Sequence, residues 1–389
     1  MTTVVPGHWL GVMGGGQLGR MFCQAAQAMG YRVLVLDPDD QAPACQIADE
    51  VIQASYDDDH ALSMMAHRCS AVTTEFENVP AASLAALARR VRVTPGASAV
   101  EVAQDRCVEK SFIESLGIPV APHAKILTIN DLENASVELL KDGILKSARL
   151  GYDGKGQCRV KDLASAVAGF DEMGKVSCVL EARLDLAYEL SVVLARSVAG
   201  EVVTYDVARN IHHDGILSVT HVDGQSDEVR AKATQWASQI AHGLGYHGVL
   251  CVEFFVLVDG RLFVNEIAPR PHNSGHYTQN ACVTSQFEQQ VRVMTELPLG
   301  NTRLLAPTVM LNLLGDVWLR GPEGNYQDPD WNRVLCHPEV SLHLYGKNEA
   351  RPGRKMGHIN ITASTMEQAV SVANQVVAEL DLPDQATLA

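Results

Sequence analysis

The chain has 389 residues, 47% of them hydrophobic and 20% charged, with a formal net charge of −15. That length supports two or three domains around a large core. The acidic balance argues against nucleic acid or an anionic membrane as the main partner, and leaves room for a small anion held by a few local cations. The nine cysteines are scattered with no C-x-x-C pair, which reads as reduced thiols in a cytoplasmic protein rather than a disulfide frame or zinc ribbon. No basic leader precedes the first strand, and no apolar run reaches the length of a membrane span.

Trp9 to Met13 reads as a short buried strand, followed by Gly14-Gly15-Gly16-Gln17-Leu18-Gly19-Arg20 and an alanine-rich helix that Gly30 stops. A second strand, Arg32 to Leu36, ends at Asp37. This is a βαβ start with G-x-G-x-x-G and an acid at the end of the second strand, the spelling of a dinucleotide site. The same glycines also suit a substrate phosphate, or only the loop itself. Ala71 to Thr74 is a further strand, ending in Glu75-Phe76-Glu77-Asn78, polar groups where a doubly wound sheet has its ligand crevice. The alternative is an ordinary acidic helix start with Pro80 near its first turn. A helix from Ala81 and a strand to Val93 complete a domain of residues 1–105.

Gln104 to Leu116 reads as one helix, and Thr128 to Leu140 contains another, capped by Asn130 or Asp131. Lys146 sits in the apolar strand Gly143 to Ser147, just before Gly151-Tyr152-Asp153-Gly154-Lys155-Gly156-Gln157. Such a loop can fold its N–H groups over a polyphosphate, or it is a hairpin tip, and a strand lysine commonly snorkels. Strands ending in Glu181, carrying Glu189, and covering Val202 to Asp214 then describe an antiparallel sheet with a helix from Glu228 to Gly243 packed on it.

Val252-Glu253-Phe254-Phe255-Val256 and Leu262 to Glu266 are strand patterns joined through Asp259-Gly260, which predicts a type I′ hairpin. Glu253 and Glu266 would then lie on one face, as two ligands for Mg²⁺ or as a buried acid pair sharing a proton or bridged to Arg270. The Pro/Gly-rich loop Pro269 to His276 follows, with His272 and His276 four apart, a zinc spacing that Gly275 speaks against. Beyond Thr308 the chain reads as short strands, with the cations Lys347, Arg351, Arg354 and Lys355 gathered near one another, either solvated charge or an anion site. A helix from Met366 to Leu380 closes the chain.

Lys146, the loop Gly151 to Gln157, Glu253 and Asn265-Glu266 together resemble the ATP-grasp family. Gly14 to Gly19, the loop Asn265 to His276 and Arg354 to His358 are similar to the branch of that family that carboxylates an aminoimidazole ribonucleotide. The resemblance implies an α/β, doubly wound N-terminal domain followed by α+β ATP-grasp domains: a lid over residues 106–180 and a second unit over 181–389, with a small β-rich subdomain from about 305. It implies a ligase that uses ATP and bicarbonate to carboxylate 5-aminoimidazole ribonucleotide in purine biosynthesis, with one or two Mg²⁺ held by Glu253 and Glu266, as a cytoplasmic homodimer. It assigns nucleotide contacts to Arg106, Lys146, Gly151, Tyr152, Asp153, Gly154, Lys155, Gly156, Gln157, the hinge Glu181, Ala182, Arg183 and Leu184, and to Glu189, His212, Asn265 and Glu266. It assigns the ribonucleotide to Gly15, Gly16, Gln17, Leu18, Glu75, Asn78, Tyr152, Asp153, Lys347, Arg354 and Lys355. Arg270 and His272 would position the one-carbon acid, and Asp153 would orient or deprotonate the amine. The nearest rivals are a formate-dependent glycinamide ribonucleotide transformylase or another ATP-grasp ligase, an NAD-dependent oxidoreductase on Gly14, Gly16, Gly19 and Asp37, and a non-catalytic nucleotide sensor.

Overall fold

The computed structural model describes residues 3–151 and 156–382. The first five strands are β1 (Trp9–Met13), β2 (Arg32–Asp37), β3 (Glu50–Gln53), β4 (Ala71–Thr74) and β5 (Arg92–Val93). They form one sheet in the order β3-β2-β1-β4-β5 with every pairing parallel. Their near-continuous apolar runs suit a sheet covered on both faces by helices. The order reverses between β1 and β4, so the crevice at their carboxyl ends receives Gly14 to Gly19 from one side and Glu75 to Asn78 from the other.

A small antiparallel sheet follows, built from β6 (His123–Ile126), β7 (Gly143–Ser147), β8 (Gln157–Val160) and β9 (Cys178–Ala182) in the order β6-β9-β7-β8. The expected single helix across residues 128–140 is two short ones, Ile129–Glu133 and Val137–Lys141. Thr128 caps the first in a capping box with Asp131, and Ser136 caps the second; both hydroxyls lie one residue before the first turn, where they reach an orphan N–H. Similarly, Ala97–Ala103 forms a helix that the sequence pattern does not announce, ahead of Arg106–Ser115 capped by Asp105.

The large sheet has nine strands. They are β10 (Leu186–Arg196), β11 (Val202–Thr204), β12 (Ala208–His213), β13 (Ile216–Val222), β14 (Gly248–Leu257), β15 (Leu262–Ala268), β16 (Thr308–Leu314), β17 (Val340–Leu344) and β18 (Lys355–Thr362). The order is β15-β14-β10-β12-β13-β16-β18-β17, with β11 on β10. The β-rich C-terminal segment therefore continues the same sheet through the β13–β16 pairing. It has a core of its own, in which Val309, Leu311, Ile359 and Ile361 pack under Ala369, Val372 and Val376 of the last helix. Helix Arg106–Ser115 packs with the large sheet: Ile113, Ile118 and Val120 share a core with Leu190, Val252 and Val264.

The β14–β15 turn differs from the two-residue type I′ expectation. Leu257 N–H donates to Arg261 C=O around a three-residue loop, with Gly260 at φ +82° and Asp259 outside the left-handed region. A type I turn ending on a left-handed glycine needs only one such residue, so Gly260 suffices. Helix Gln286–Thr295 ties the first domain to the rest. Val291 and Met294 are fully buried in the core of the parallel sheet, each burial being worth about 1.5–3 kcal/mol. Gln290 Nε2 also donates to Thr73 Oγ1 at 2.9 Å. This docking carries the crevice of the parallel sheet up to the β14–β15 hairpin.

Candidate functional site

Glu253 on β14 and Glu266 on β15 stand directly opposite each other in the ladder, beside a bulge that follows Glu253. Opposed positions in an antiparallel pair send their side chains to the same face, so the two carboxyl groups face together, with Asn265 Nδ2 donating to Glu253 Oε2 at 3.4 Å. Burial, followed by the charge of Glu266, pushes the Glu253 carboxyl well above the usual range. Burial works the same way on Glu266, but the Arg106 guanidinium outweighs it and holds this carboxyl below the usual range. Arg106 Nη1 donates to Glu266 Oε2 at 2.8 Å, and Nη2 reaches Gly151 O, at the mouth of the second glycine loop, at 3.5 Å.

Arg106, Glu109 and Lys110 share one face of their helix by i, i+3, i+4 spacing. Sequence reasoning took Arg106 and missed the other two, although their spacing shows once Asp105 is read as the cap. Glu109 is buried and accepts the Ile267 N–H at 2.5 Å, and burial, then the Glu266 charge, pushes it up to about 8. Lys110 is only 1% exposed. Its Nζ lies 3.2 Å from Glu181 Oε1, while Lys146 Nζ lies 3.0 Å from Glu181 Oε2. Burial alone would raise Glu181, yet Lys146 and then Lys110 win and hold it at about 2. Glu181 therefore orders two lysines, and Arg106 is bonded to Glu266 itself.

Of the other nucleotide candidates, Glu189 shares the Glu253 face of the large sheet, and the hinge and second glycine loop belong to the small one. Glu189 Oε1 is 3.1 Å from His212 Nδ1 across the β10–β12 pair. Burial disfavours the charged ring, but the Glu189 hydrogen bond overrides it and raises the His212 pKa. In the hinge, Ala182 N–H donates to Pro122 O at 2.8 Å and Arg183 N–H to Asp142 O at 3.0 Å. The Arg183 side chain turns outward to Asp142, and Leu184 is half-buried. Gly156 takes φ +70°, its carbonyl accepts Ser147 N–H at 2.8 Å, and Gln157 is exposed on β8. Tyr152, Asp153, Gly154 and Lys155 lie outside the described residues.

Between the domains, Arg270 Nε donates to Glu77 Oε2, an ion pair from the crevice of the first sheet to the loop after β15. Burial, then Arg270 and Lys355, lowers the His272 pKa well below its ordinary value, and its Nε2 lies 3.1 Å from Glu253 Oε1. The zinc spacing has another use. His272 Nδ1 contacts Ser274 and His276 Nδ1 contacts Gln286, on either side of a 3₁₀ turn, Asn273–Gly275. Among the described residues, no three His, Cys, Asp or Glu side chains converge as a metal cage.

The first glycine loop is committed to its own chain. Gly16 N–H and Gly19 N–H donate to the two oxygens of Glu75 at 3.0 and 3.1 Å. Gly15 N–H donates to Asp37 Oδ2 at 2.6 Å, where Tyr56 OH also donates at 2.6 Å. A cofactor pyrophosphate would need those same N–H groups, and a ribose would need Asp37, so the dinucleotide reading loses its donors and its acceptor. The glycines are required by fit: a Cβ on Gly16 would stand 2.4 Å from Glu75 Oε1. Gln17 and Asn78 are half-buried at the crevice, and Leu18 packs inward.

Lys347 is half-buried and donates from Nζ to Lys355 O at 2.6 Å; Arg354 Nη1 donates to Glu349 O at 2.7 Å. Gln46 Nε2 donates to Gly346 O at 2.8 Å, and Arg20 lies against the same glycine. This places the C-terminal cations against the first helix and adds Arg20 and Gln46, which sequence reasoning passed over because nothing in their local pattern marks them.

Three family descriptions match consecutive parts of the chain: the ribonucleotide synthetase preATP-grasp domain over residues 8–104, the ATP-grasp domain over 111–287, and the phosphoribosylaminoimidazole carboxylase C-terminal domain over 308–371. The chain is 44% identical over 361 residues to the N5-carboxyaminoimidazole ribonucleotide synthase of Brucella melitensis, covering 92% of this chain and 97% of that protein. It is 42% identical to the Bacillus subtilis protein of the same name, with 92% of each covered. Among solved structures, it resembles an ADP complex of an N5-carboxyaminoimidazole ribonucleotide synthetase at TM-score 0.90 and 40% identity, covering 99% and 100% of the two chains. It also resembles the Aspergillus clavatus N5-carboxyaminoimidazole synthase in complex with ADP and 5-aminoimidazole ribonucleotide, at TM-score 0.86 and 31% identity over 96% and 98%.

Proposed function

Because the chain belongs to the N5-carboxyaminoimidazole ribonucleotide synthase family of ATP-grasp ligases, we propose that Glu253, Glu266 and the cations around them form the ATP end of a bicarbonate-activating site. The chain carboxylates 5-aminoimidazole ribonucleotide at the expense of ATP, a step of purine biosynthesis. The observation that carries the placement is the facing pair itself. One carboxyl is raised and the other is held ionised by Arg106, with Lys146 and Lys110 ordered by Glu181. Two facing carboxylates would suit Mg²⁺, a hard cation that takes oxygen ligands. Held by Glu253 and Glu266, Mg²⁺ would neutralise negative charge on the nucleotide's phosphates.

The side chains divide the remaining work. Lys146, Arg106 and the loop around Gly151 and Gly156 hold the phosphates, and Glu189 with His212 holds the sugar. Bicarbonate is a weak electrophile, and phosphorylation to carboxyphosphate activates it. Arg270, aimed by Glu77, orients that acid and steadies its developing charge, with neutral His272 beside it. Lys347, Arg354 and Lys355, facing Arg20, take the ribonucleotide phosphate, while Glu75 and Asn78 close the crevice over its ring. Asp153 is the candidate for orienting the amine. We read residues 1–105, 106–180 and 181–389 as the working divisions, with helix Arg106–Ser115 moving with the large sheet, and we take the active species as a homodimer by family likeness.

The test is phosphate release from ATP with bicarbonate or formate, each with 5-aminoimidazole ribonucleotide or glycinamide ribonucleotide. Turnover with bicarbonate and the aminoimidazole substrate is expected. Turnover only with formate and glycinamide ribonucleotide would move the chain to the transformylase reading, and nucleotide binding without turnover would make it a sensor.

A further inference from the structure

A row of polar side chains crosses the interior of the large sheet and ends at Glu253. Thr220 Oγ1 donates to Asn210 Oδ1 at 2.9 Å, Asn210 Nδ2 to Ser191 Oγ at 2.9 Å, and Ser191 Oγ to Ser274 Oγ at 2.7 Å. Ser274 Oγ then meets His272 Nδ1 at 2.8 Å, and His272 Nε2 meets Glu253 Oε1 at 3.1 Å. Thr220, Asn210 and Ser191 lie on β13, β12 and β10, and Ser191 pairs with Glu253 in the ladder. Thr220, Ser191 and Ser274 are fully buried and Asn210 is 4% exposed. Apolar side chains would fill these strand positions more cheaply, because a buried hydroxyl or amide costs free energy unless its hydrogen bonds are made.

The sense of the row follows from donor counting. A hydroxyl has one proton to give. Ser191 receives from Asn210, so its proton goes to Ser274, and the Ser274 proton goes on to His272 Nδ1. The backbone N–H of Ser274 also points at Nδ1, at 3.3 Å, so that nitrogen is an acceptor and the ring proton sits on Nε2, facing Glu253. With the ring reversed, the backbone N–H of Ser274 would point at an N–H.

We propose that Ser191, Asn210 and Ser274 are positioning residues that hold His272 as its Nε2–H tautomer, so that it clamps Glu253 in the orientation facing Glu266. The proposal rests on the metal–nucleotide reading of those two acids only for its kinetic consequence; the tautomer is a property of the protein without ligands.

The test uses the full chain with ¹⁵N-labelled histidine, its His272 signals assigned by difference with His272→Gln. Wild-type protein is expected to show one tautomer, with Nδ1 unprotonated and Nε2 protonated. In Ser191→Ala and Asn210→Leu those signals move toward a mixture, while Ser191→Thr restores them. The Mg²⁺ concentration for half-maximal activity rises about tenfold in the first two variants, as for removal of an outer-shell partner, with the KM for the ribonucleotide unchanged. Asn210→Leu keeps an apolar strand position filled, so it answers the question if Ser191→Ala does not fold. An unaltered His272 tautomer in a folded Ser191→Ala or Asn210→Leu protein, or failure of Ser191→Thr to restore it, overturns the proposal. If the tautomer responds but Mg²⁺ fails to strengthen ATP binding to wild-type protein, the metal reading falls and the positioning row stands.

Discussion

At the end of β4 the Glu75 carboxylate accepts the N–H groups of Gly16 and Gly19, whereas on β14 and β15 Glu253 and Glu266 face each other, with Arg106 bonded to Glu266 and His272 3.1 Å from Glu253. Both places present acids at the edge of a crevice, and both carry a sequence signature of nucleotide binding. The first is complete in itself: its donors and acceptors are spent on one another. In the second, two acids oppose each other: burial and mutual repulsion raise one while the other leans on Arg106, whereas at Glu75 burial raises the carboxyl and the Gly19 and Gly16 N–H groups pull it back. A binding site is the place where the fold leaves charge for a ligand to settle.

The largest expected effect comes from removing a member of the opposed pair. Glu266→Ala should lower kcat/KM for ATP at least about a hundredfold, beyond the loss usual for outer-shell partners. A steady-state assay with a drop of less than tenfold would erase the distinction between the two places. Lys347→Ala should raise the KM for the ribonucleotide about ten- to a hundredfold, the range of a charge-assisted hydrogen bond, with the KM for ATP little changed. An equal rise in both would take Lys347 out of the phosphate site.

The finished place should respond in stability. Gly16→Ala sets a methyl group 2.4 Å from Glu75 Oε1 and should cost about 1–3 kcal/mol as overpacking, read as a lower thermal midpoint. An unchanged midpoint would mean that the Glu75 cradle is not tight.

Glu109 sharpens the contrast with a third kind of acid, one kept neutral. Burial first and Glu266 second push it up to about 8, against an ordinary 4.5. Between those values the folded protein holds a proton that the unfolded chain releases, so this contribution is present at low pH and fades as pH rises. Measured by urea unfolding of the ligand-free proteins, the stability of wild type relative to Glu109→Gln should fall between about pH 5 and about pH 8, while the buried neutral histidines act the other way in both proteins. Mg²⁺ with a nucleotide should flatten only the part of the wild-type slope due to Glu253. A Glu109→Gln protein with the wild-type slope would refute the assignment.

Much of this was legible in advance. Period-two runs and their turn residues marked β10, β11, β12, β14 and β15 but not β13, and the pairing of Glu253 with Glu266 followed from two strands of opposite direction joined by a short loop. What was not legible came from distance in sequence. Lys110 meets Glu181 from far along the chain, Glu77 reaches Arg270 between domains, and Gly346 meets Gln46 at a separation of 300 residues. The hairpin turn was misread because Asp-Gly serves both a two-residue and a three-residue loop, and Gly260 alone carries the left-handed backbone.

By itself, the sequence determined the order of elements, the family motifs and the acids and bases available, because periodicity and turn chemistry are local. Only the tertiary structure decided which glycine loop is filled by its own carboxylate and which acids remain for a ligand. Those outcomes depend on what the docking of helix Gln286–Thr295 and the strand order of the large sheet bring within hydrogen-bond reach. A hydrogen bond is spent or free according to neighbours that no stretch of sequence contains.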